Sequence, residues 1–130
     1  MADERDVIQA YLDAWTSGDL AGAMAMYSDD FTLHYLGDNP LSGIHRGKEA
    51  AMAALGTFTA ATQRAMVGVD AVLGGDGYGV FIARERFHAA DDPSDVRRVF
   101  LYRVRDSQLT ECWVFDEDQP LIDKLLRSAQ

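Results

Sequence analysis

The stretch that decides the fold is RAMVGVDAVLGGDGYGVFIARERFH, residues 64–88. Strand-forming residues stand on both sides of the run Gly74-Gly75-Asp76-Gly77. A short glycine-rich run with an aspartate, placed between two such segments, is typical of a tight hairpin turn. The stretch therefore predicts an antiparallel pair of strands over Arg64–Leu73 and Tyr78–His88.

Two further strands follow this hairpin, and helices come before it. The later strands are predicted over Val96–Arg105 and Gln108–Phe115, and Asp106-Ser107 separates them by a turn of hairpin length. In the first part of the chain, apolar residues recur in steps of three and four, which predicts amphipathic helices. The remaining predicted elements are helices over Asp6–Ser17, Asp19–Tyr27 and Lys48–Phe58, a strand over Phe31–Leu36, a loop over Ser42–Gly47, and a last helix that starts at Asp116-Glu117-Asp118.

This order of elements predicts the fold class. Helices cluster early and strands cluster late, which is typical of an α+β protein with a largely antiparallel sheet. The 130 residues fit one domain, so residues 1–130 are predicted to form a single domain. A chain of this length buries about two-thirds of its unfolded surface, enough for a core and one internal pocket.

Charge and cysteine content exclude several classes of protein. Twelve Lys and Arg against 21 Asp and Glu give a net charge of −9, which opposes binding to nucleic acid or to an anionic membrane. The one cysteine, Cys112, excludes an intrachain disulfide. The segment Met1–Asp6 is acidic and is not followed by an apolar run of signal-peptide length, so the expected location is the cytoplasm.

Several segments resemble the nuclear transport factor 2-like superfamily. Val7–Tyr11 with Ser17-Gly18-Asp19-Leu20 resembles its opening helix and helix break, and Tyr27–Phe31 resembles the end of its second helix. Leu33–Ala50 and Leu109–Asp116 are similar to the SnoaL-like branch, which includes small polyketide cyclases. The resemblance covers nearly the whole chain. It implies a cone-shaped α+β barrel, in which a curved, largely antiparallel sheet wraps around the N-terminal helices and encloses an apolar pocket.

The resemblance also suggests where catalytic groups would stand. Tyr11 occupies the position of the oxyanion-donating tyrosine of ketosteroid isomerases with this fold. Tyr35, beside His34, occupies the position of their aspartate base, and Phe100 that of a second oxyanion acid. A tyrosine is a poor base because its ordinary pKa is about 10. This departure leaves only one of the three isomerase roles filled.

A second departure concerns the last strand. Val114 stands where SnoaL-type cyclases carry an acid, and where epoxide hydrolases of this fold complete an Asp-Arg-Asp arrangement. Asp116 lies two residues further on the same strand face and could substitute from the pocket rim. We therefore predict His34 and Asp116 as the acid/base residues, with Tyr11 and Tyr35 as hydrogen-bond donors. The residues predicted to shape the pocket are Trp15, Tyr27, Phe100, Tyr102, Val114 and Trp113.

The segment Arg84-Glu85-Arg86 interrupts an apolar strand and leaves three interpretations open. Strand alternation places Glu85 on one face and the two arginines on the other. If the glutamate face lines the interior, Glu85 is a candidate acid or base; if the arginine face does, an anionic ligand is favoured. The third interpretation, which we favour, is an ordinary ion pair on a solvated or partner-facing sheet. Its cross-strand partners would be Arg97, Arg98 or Arg103.

The function predicted from these features is that of a small-molecule enzyme. It would perform cofactor-independent isomerisation, cyclisation or dehydration on an apolar ketone or polyketide-like substrate. The alternatives are a non-catalytic small-molecule-binding or accessory protein of the same fold and a structural dimerisation module. No metal site is predicted, because the three histidines and the acids lack ligand spacing. The resemblance implies a homodimer, because this family commonly packs the outer sheet face against a partner. The apolar residues on both strand faces at Val80–Ile82 and Val99–Leu101 agree with that expectation.

Overall fold

Helices dominate the first half of the folded chain and strands dominate the second. A computed structural model of the protein describes residues 3–129. The predicted domain runs from residue 1 to residue 130, so its two limits lie outside the described residues. The elements in chain order are α1 (Glu4–Thr16), α2 (Leu20–Ala25), β1 (Tyr27–Tyr35), β2 (Gly43–Arg46), α3 (Lys48–Thr62), β3 (Arg64–Gly75), β4 (Tyr78–Phe87), β5 (Asp95–Arg105), β6 (Gln108–Asp116) and α4 (Gln119–Ser128).

The strands form a six-stranded sheet in the order β2-β1-β6-β5-β4-β3. Strands β3 to β6 pair antiparallel in chain order, through the hairpins that the sequence predicts. Strand β1 pairs antiparallel with β2 and parallel with β6, so the sheet is largely antiparallel. At the two tight turns Asp76 and Asp106 have φ values of 55° and 51°, which two-residue hairpin turns require. The predicted α+β fold is confirmed.

Helix α1 packs against β3 and β4 through one apolar face. The side chain of Asp3 caps its first turn by accepting a hydrogen bond from the backbone N–H of Asp6 at 2.8 Å. Its buried residues are Val7, Ile8, Tyr11 and Leu12, spaced as the sequence predicts. The helix lies so close to β4 that a Cβ at Gly79 would stand 2.4 Å from Ile8 Cγ1. Glycine at this position is therefore required by the contact.

Several predicted elements differ from the structure: α3 continues past Phe58 to Thr62, and α4 begins at Gln119, after Asp116 has ended β6. Helix α2 ends at Ala25 and β1 already begins at Tyr27, so Asp29-Asp30 lie within the strand with both side chains exposed. The predicted loop Ser42–Gly47 contains β2, whose backbone pairs with β1. A four-residue edge strand with mostly exposed side chains carries no alternation signal, and for that reason the sequence alone does not reveal it.

Side chains alternate along β4, β5 and β6, and this alternation separates an inner from an outer face of the sheet. On β4 the buried inner residues include Phe81, Glu85 and Phe87, whereas Arg84 lies on the outer face. The ring of Phe81 stacks on that of Phe100 from β5, with ring centroids 4.4 Å apart. The glutamate face of β4 thus faces the interior, which removes the interpretation of an arginine-lined pocket.

Candidate functional site

A cavity of about 900 Å³ lies between the inner face of the sheet and helices α1 and α3. Its wall is mostly apolar, and its volume is near the upper end of the range for small-molecule sites. Phe100 of β5 and Val114 of β6 stand opposite each other in register and form part of this wall. The predicted site residues that line the cavity are Tyr11, Trp15, Tyr27, Phe100, Tyr102 and Val114.

Among the described residues, Glu85 is the acidic side chain that lines this cavity. The residue is fully buried. Its Oε1 lies 3.4 Å from Arg98 Nη1 and 3.6 Å from Arg64 Nη1. Its Oε2 has no hydrogen-bond partner among the described residues. Leaving a buried carboxylate oxygen unpaired costs stability, so this atom is the natural acceptor for a donor on a bound molecule.

Arg98 holds the buried ion cluster together. Its Nε donates to Asp116 Oδ1 at 2.5 Å and its Nη2 to Asp116 Oδ2 at 3.3 Å, a bidentate pair. The guanidinium also lies 4.3 Å from the ring centroid of Phe58, within cation–π range. Burial lowers the pKa of Arg98, but Asp116 and its other neighbours outweigh burial and raise that pKa above its ordinary value. The arginine therefore stays charged in the interior.

Two of the predicted catalytic residues, Tyr35 and Asp116, contact Arg98 and are not part of the cavity wall. Arg98 Nη2 donates a hydrogen bond to Tyr35 Oη at 3.3 Å. Burial raises the pKa of Tyr35 well above its usual range, so the phenol is neutral at physiological pH. The Asp116 carboxylate is 4% exposed and bound by the guanidinium, which contradicts its predicted place at the pocket rim. Both residues position Arg98, and through it Glu85.

His34 and Trp113 lie on the outer face of the sheet, so the prediction that they belong to the pocket is wrong. Leu33 and Tyr35 occupy the inner face of β1, and strand alternation then places His34 outside. The parallel register of β1 and β6 sets His34 beside Trp113, and the two rings stack with centroids 4.5 Å apart. His34 Nε2 also lies 2.8 Å from Glu111 Oε2. These contacts form a surface cluster that does not reach the cavity.

Three tyrosines form a second polar group in the cavity wall. The hydroxyls of Tyr11 and Tyr27 are hydrogen-bonded to each other, and the ring of Tyr102 lies 5.8 Å from that of Tyr11. Burial raises the pKa of all three phenols, which are therefore neutral hydrogen-bond donors at physiological pH. Burial also raises the pKa of the neighbouring Cys112 thiol to about 12, so this thiol is not a nucleophile.

The other histidines and the remaining acids do not suggest a metal centre. His45 Nε2 lies 2.7 Å from the carbonyl oxygen of Leu41 and ties its own loop. Across residues 3–129, no three His, Cys, Asp or Glu side chains converge as the ligands of a metal ion would. Over the same range, the helices are too short or too polar to span a membrane.

Arg98 and Arg64 are the site residues that sequence reasoning missed. Arg98 was predicted as a partner for Glu85 only on a solvated or partner-facing sheet, whereas the pair is buried inside the barrel. A signal was present, because alternation along Val96–Tyr102 puts Arg98 on the same face as Phe100. Arg64 had no such signal, since it lies at the start of an edge strand.

A curved sheet closed by helices over an apolar cavity is the fold that this chain shares with solved NTF2-like proteins. A SnoaL-like domain matches residues 8–112. The chain belongs to the SnoaL-like domain family. No curated protein matches the sequence significantly.

Solved structures share the fold at low sequence identity. A Xanthomonas campestris protein with a cystatin-like fold has a TM-score of 0.85 and 23% identity, over 96% of this chain and 98% of its own. An NTF2-like protein from Burkholderia xenovorans LB400 has a TM-score of 0.70 and 20% identity, over 97% and 98%. TerC, co-crystallised with polyporic acid, has a TM-score of 0.72 and 13% identity, over 90% and 95%. These likenesses establish the fold of the chain.

Proposed function

We propose that this protein is a small-molecule enzyme that performs cofactor-independent acid/base chemistry on an apolar ketone or polyketide-like substrate. The observation that carries the proposal is Glu85, a buried carboxylate in an apolar cavity with one oxygen free of hydrogen bonds. Isomerisation, cyclisation and dehydration of such substrates each require a base within reach of a carbon next to a carbonyl. Glu85 has the chemistry and the location for this step.

The neighbouring groups have complementary roles. Glu85 Oε2 accepts a proton from the carbon beside the carbonyl, and the carbonyl oxygen gains negative charge. The guanidinium of Arg64, which also lines the cavity, lies beside Glu85 and stabilises that charge. In an isomerisation, Glu85 returns the same proton to another carbon of the substrate, so the reaction balances without a further reactant. Arg98 positions the Glu85 carboxylate through their ion pair, and Asp116 in turn positions Arg98.

A neighbour in fold lends support to a small-molecule ligand. TerC was co-crystallised with polyporic acid, an organic small molecule. The volume of the present cavity and its apolar wall are suited to a ligand of that general kind.

The proposal is tested by proton exchange on a probe ketone. β-Tetralone, an apolar bicyclic ketone, is incubated with the protein in deuterated buffer, and loss of its acidic C–H signal is followed by proton NMR. We expect the Glu85→Gln variant to exchange about 100- to 10,000-fold more slowly than the wild type. Glu111→Gln makes the same chemical change on the outer face and is expected to exchange at the wild-type rate.

Two results would contradict catalysis by Glu85. One is equal exchange by the wild type and by Glu85→Gln. The other is tight binding of β-tetralone with exchange no faster than in buffer. The second result favours the alternative function, a non-catalytic small-molecule-binding protein. That alternative has its own support, because Oε1 of Glu85 is already paired with two guanidinium groups, as in a structural ion cluster.

We also propose that the protein forms a homodimer through the outer face of the sheet. Two apolar rows cross this face along the register of the strands, and Phe115 at the end of one row is 44% exposed. A contiguous apolar surface on the outer face of an antiparallel sheet is typical of a covered interface. The rows are Val80, Leu101 and Trp113, and Ile82, Val99 and Phe115.

A further inference from the structure

The polar groups of the cavity wall are gathered at two separate places. The ionic end consists of Glu85 and Arg64. The tyrosine end consists of Tyr11, Tyr27 and Tyr102. Each end contains side chains from at least two elements of the fold, so neither is a lone polar residue on an apolar wall.

The strand register sets the distance between the two ends. Arg98, which contacts Glu85, and Tyr102 lie on the same face of β5, four residues apart. At about 3.3 Å per residue, four residues span about 13 Å along the strand. The neighbouring strand repeats this spacing, since Asp116 pairs with Arg98 and Cys112 pairs with Tyr102. The backbone positions of the two ends are therefore about 13 Å apart along the strands.

The wall between the two ends is apolar. Phe100 lies midway between Arg98 and Tyr102 on β5, and Val114 stands opposite it on β6. On the other side Phe81 stacks on Phe100. All three residues line the cavity. A ligand that reaches from one end to the other must therefore have an apolar body.

The two ends have opposite hydrogen-bonding character. At the ionic end, the free Oε2 of Glu85 can only accept a hydrogen bond, and its burial makes the lack of a donor costly. At the tyrosine end, the hydroxyls of Tyr11 and Tyr27 have two protons and share one hydrogen bond, so the second proton is not used between these two residues. Burial raises the pKa of both phenols and keeps them protonated.

We propose that the cavity takes elongated apolar molecules with an oxygen function at each end. The group at the ionic end donates a proton to Glu85, as a hydroxyl or an acidic C–H beside a carbonyl does. The oxygen at the tyrosine end accepts a hydrogen bond from the hydroxyls of Tyr11 and Tyr27. This inference rests on the proposed function, because it specifies the substrate class of the same cavity. In this arrangement Tyr11 anchors the far end of the substrate and is not the oxyanion donor of the reacting end.

The test uses rigid rod-shaped phenols as probes. The probes are p,p′-biphenol with two hydroxyls, p-phenylphenol with one, and biphenyl with none. Binding is read from the fluorescence of Trp15, which lines the cavity, in a Trp113→Phe background where Trp15 is the one remaining tryptophan. We expect p,p′-biphenol to bind about tenfold more tightly than p-phenylphenol, as one additional buried hydrogen bond predicts.

Variants at each end give the sharper comparison. The double variant Tyr11→Phe/Tyr27→Phe removes both partners of one hydrogen bond with little change of shape, so we expect it to fold. It should weaken the binding of p,p′-biphenol about tenfold. The affinity for p-phenylphenol, which binds at the ionic end, should not change. Glu85→Gln should weaken both phenols. Tyr102→Phe is a second, single variant of the tyrosine end, and circular dichroism checks that every variant is folded.

The outcomes separate this inference from the proposed function. Equal affinity for p-phenylphenol and p,p′-biphenol, or unchanged p,p′-biphenol affinity in both tyrosine variants, would overturn the two-ended substrate and leave the cavity as a small-molecule site. If none of the three probes, biphenyl included, changes the fluorescence of Trp15, the two-ended substrate is overturned, and exchange of β-tetralone decides the proposed function separately.

Discussion

Replacement of Arg98 by methionine tests the buried ion cluster directly. The guanidinium is 1% exposed and is the main partner of two buried carboxylates, Glu85 at 1% and Asp116 at 4%. Removing one partner of a buried pair leaves uncompensated charge and costs about 3–5 kcal/mol. Small domains are stable by only about 5–15 kcal/mol, so Arg98→Met should remove a large part of the free energy of unfolding.

The neighbouring Arg97 offers a matched control. It forms an ion pair with Glu117, but the two side chains are 61% and 44% exposed. Solvent-exposed ion pairs contribute about 0–1 kcal/mol, so Arg97→Met should have little effect. The assay is urea unfolding followed by circular dichroism. With a loss of about 4 kcal/mol and an m-value of about 2 kcal/mol per molar, the midpoint of Arg98→Met falls by about 2 M.

A third variant distinguishes unpaired charge from lost packing. In Arg98→Met combined with Glu85→Gln and Asp116→Asn, both carboxylates are neutral, and the charge that loses its partner is Arg64, whose side chain is 28% exposed. Most of the lost stability should return, because replacing a whole buried ion cluster is often near neutral. The reasoning is refuted if Arg98→Met unfolds at the same urea concentration as Arg97→Met, or if the triple variant is less stable than Arg98→Met.

Three further predictions follow from other parts of the structure. Burial raises the pKa of the Cys112 thiol from 9.0 to about 12, so the unfolded chain loses this proton at a lower pH than the folded chain does. The free energy of unfolding, measured in urea, should therefore fall as pH rises from about 9 to about 12. In the Cys112→Val variant it should fall less steeply. Trp113→Glu should convert the proposed dimer to a monomer in light scattering at micromolar concentration, and a wild-type protein that is itself monomeric would contradict the interface. Burial acts to raise the pKa of Asp123, but hydrogen bonds from Asn39, Gln119 and the backbone of Asp38 together outweigh it and lower that pKa. Asp123→Ala should therefore cost about 1 kcal/mol at neutral pH, and in acid unfolding curves the difference should shrink below about pH 4.

Much of the architecture could be predicted from local pattern. The hairpin around Gly74–Gly77 and the steps of three and four in α1 are short-range features that act within a few residues. The edge strand β2 could not be predicted, because its existence depends on backbone pairing with β1 and not on its own side chains. Tertiary pairing overrides weak local signals of this kind.

For the candidate site, too, local pattern predicted one part and tertiary packing decided the other. The sequence by itself determined that the chain folds as a SnoaL-like α+β protein with an aromatic, apolar interior, and that Glu85 and the arginines beside it lie on opposite strand faces. Alternation has a period of two, so it sorts side chains into two faces but does not say which face is buried. Only the tertiary structure decided that Glu85 and Arg98 face the cavity side and that His34 faces outward. That choice depends on where α1 and α3 pack, and the resulting ion cluster joins residues from three strands that are far apart in the sequence.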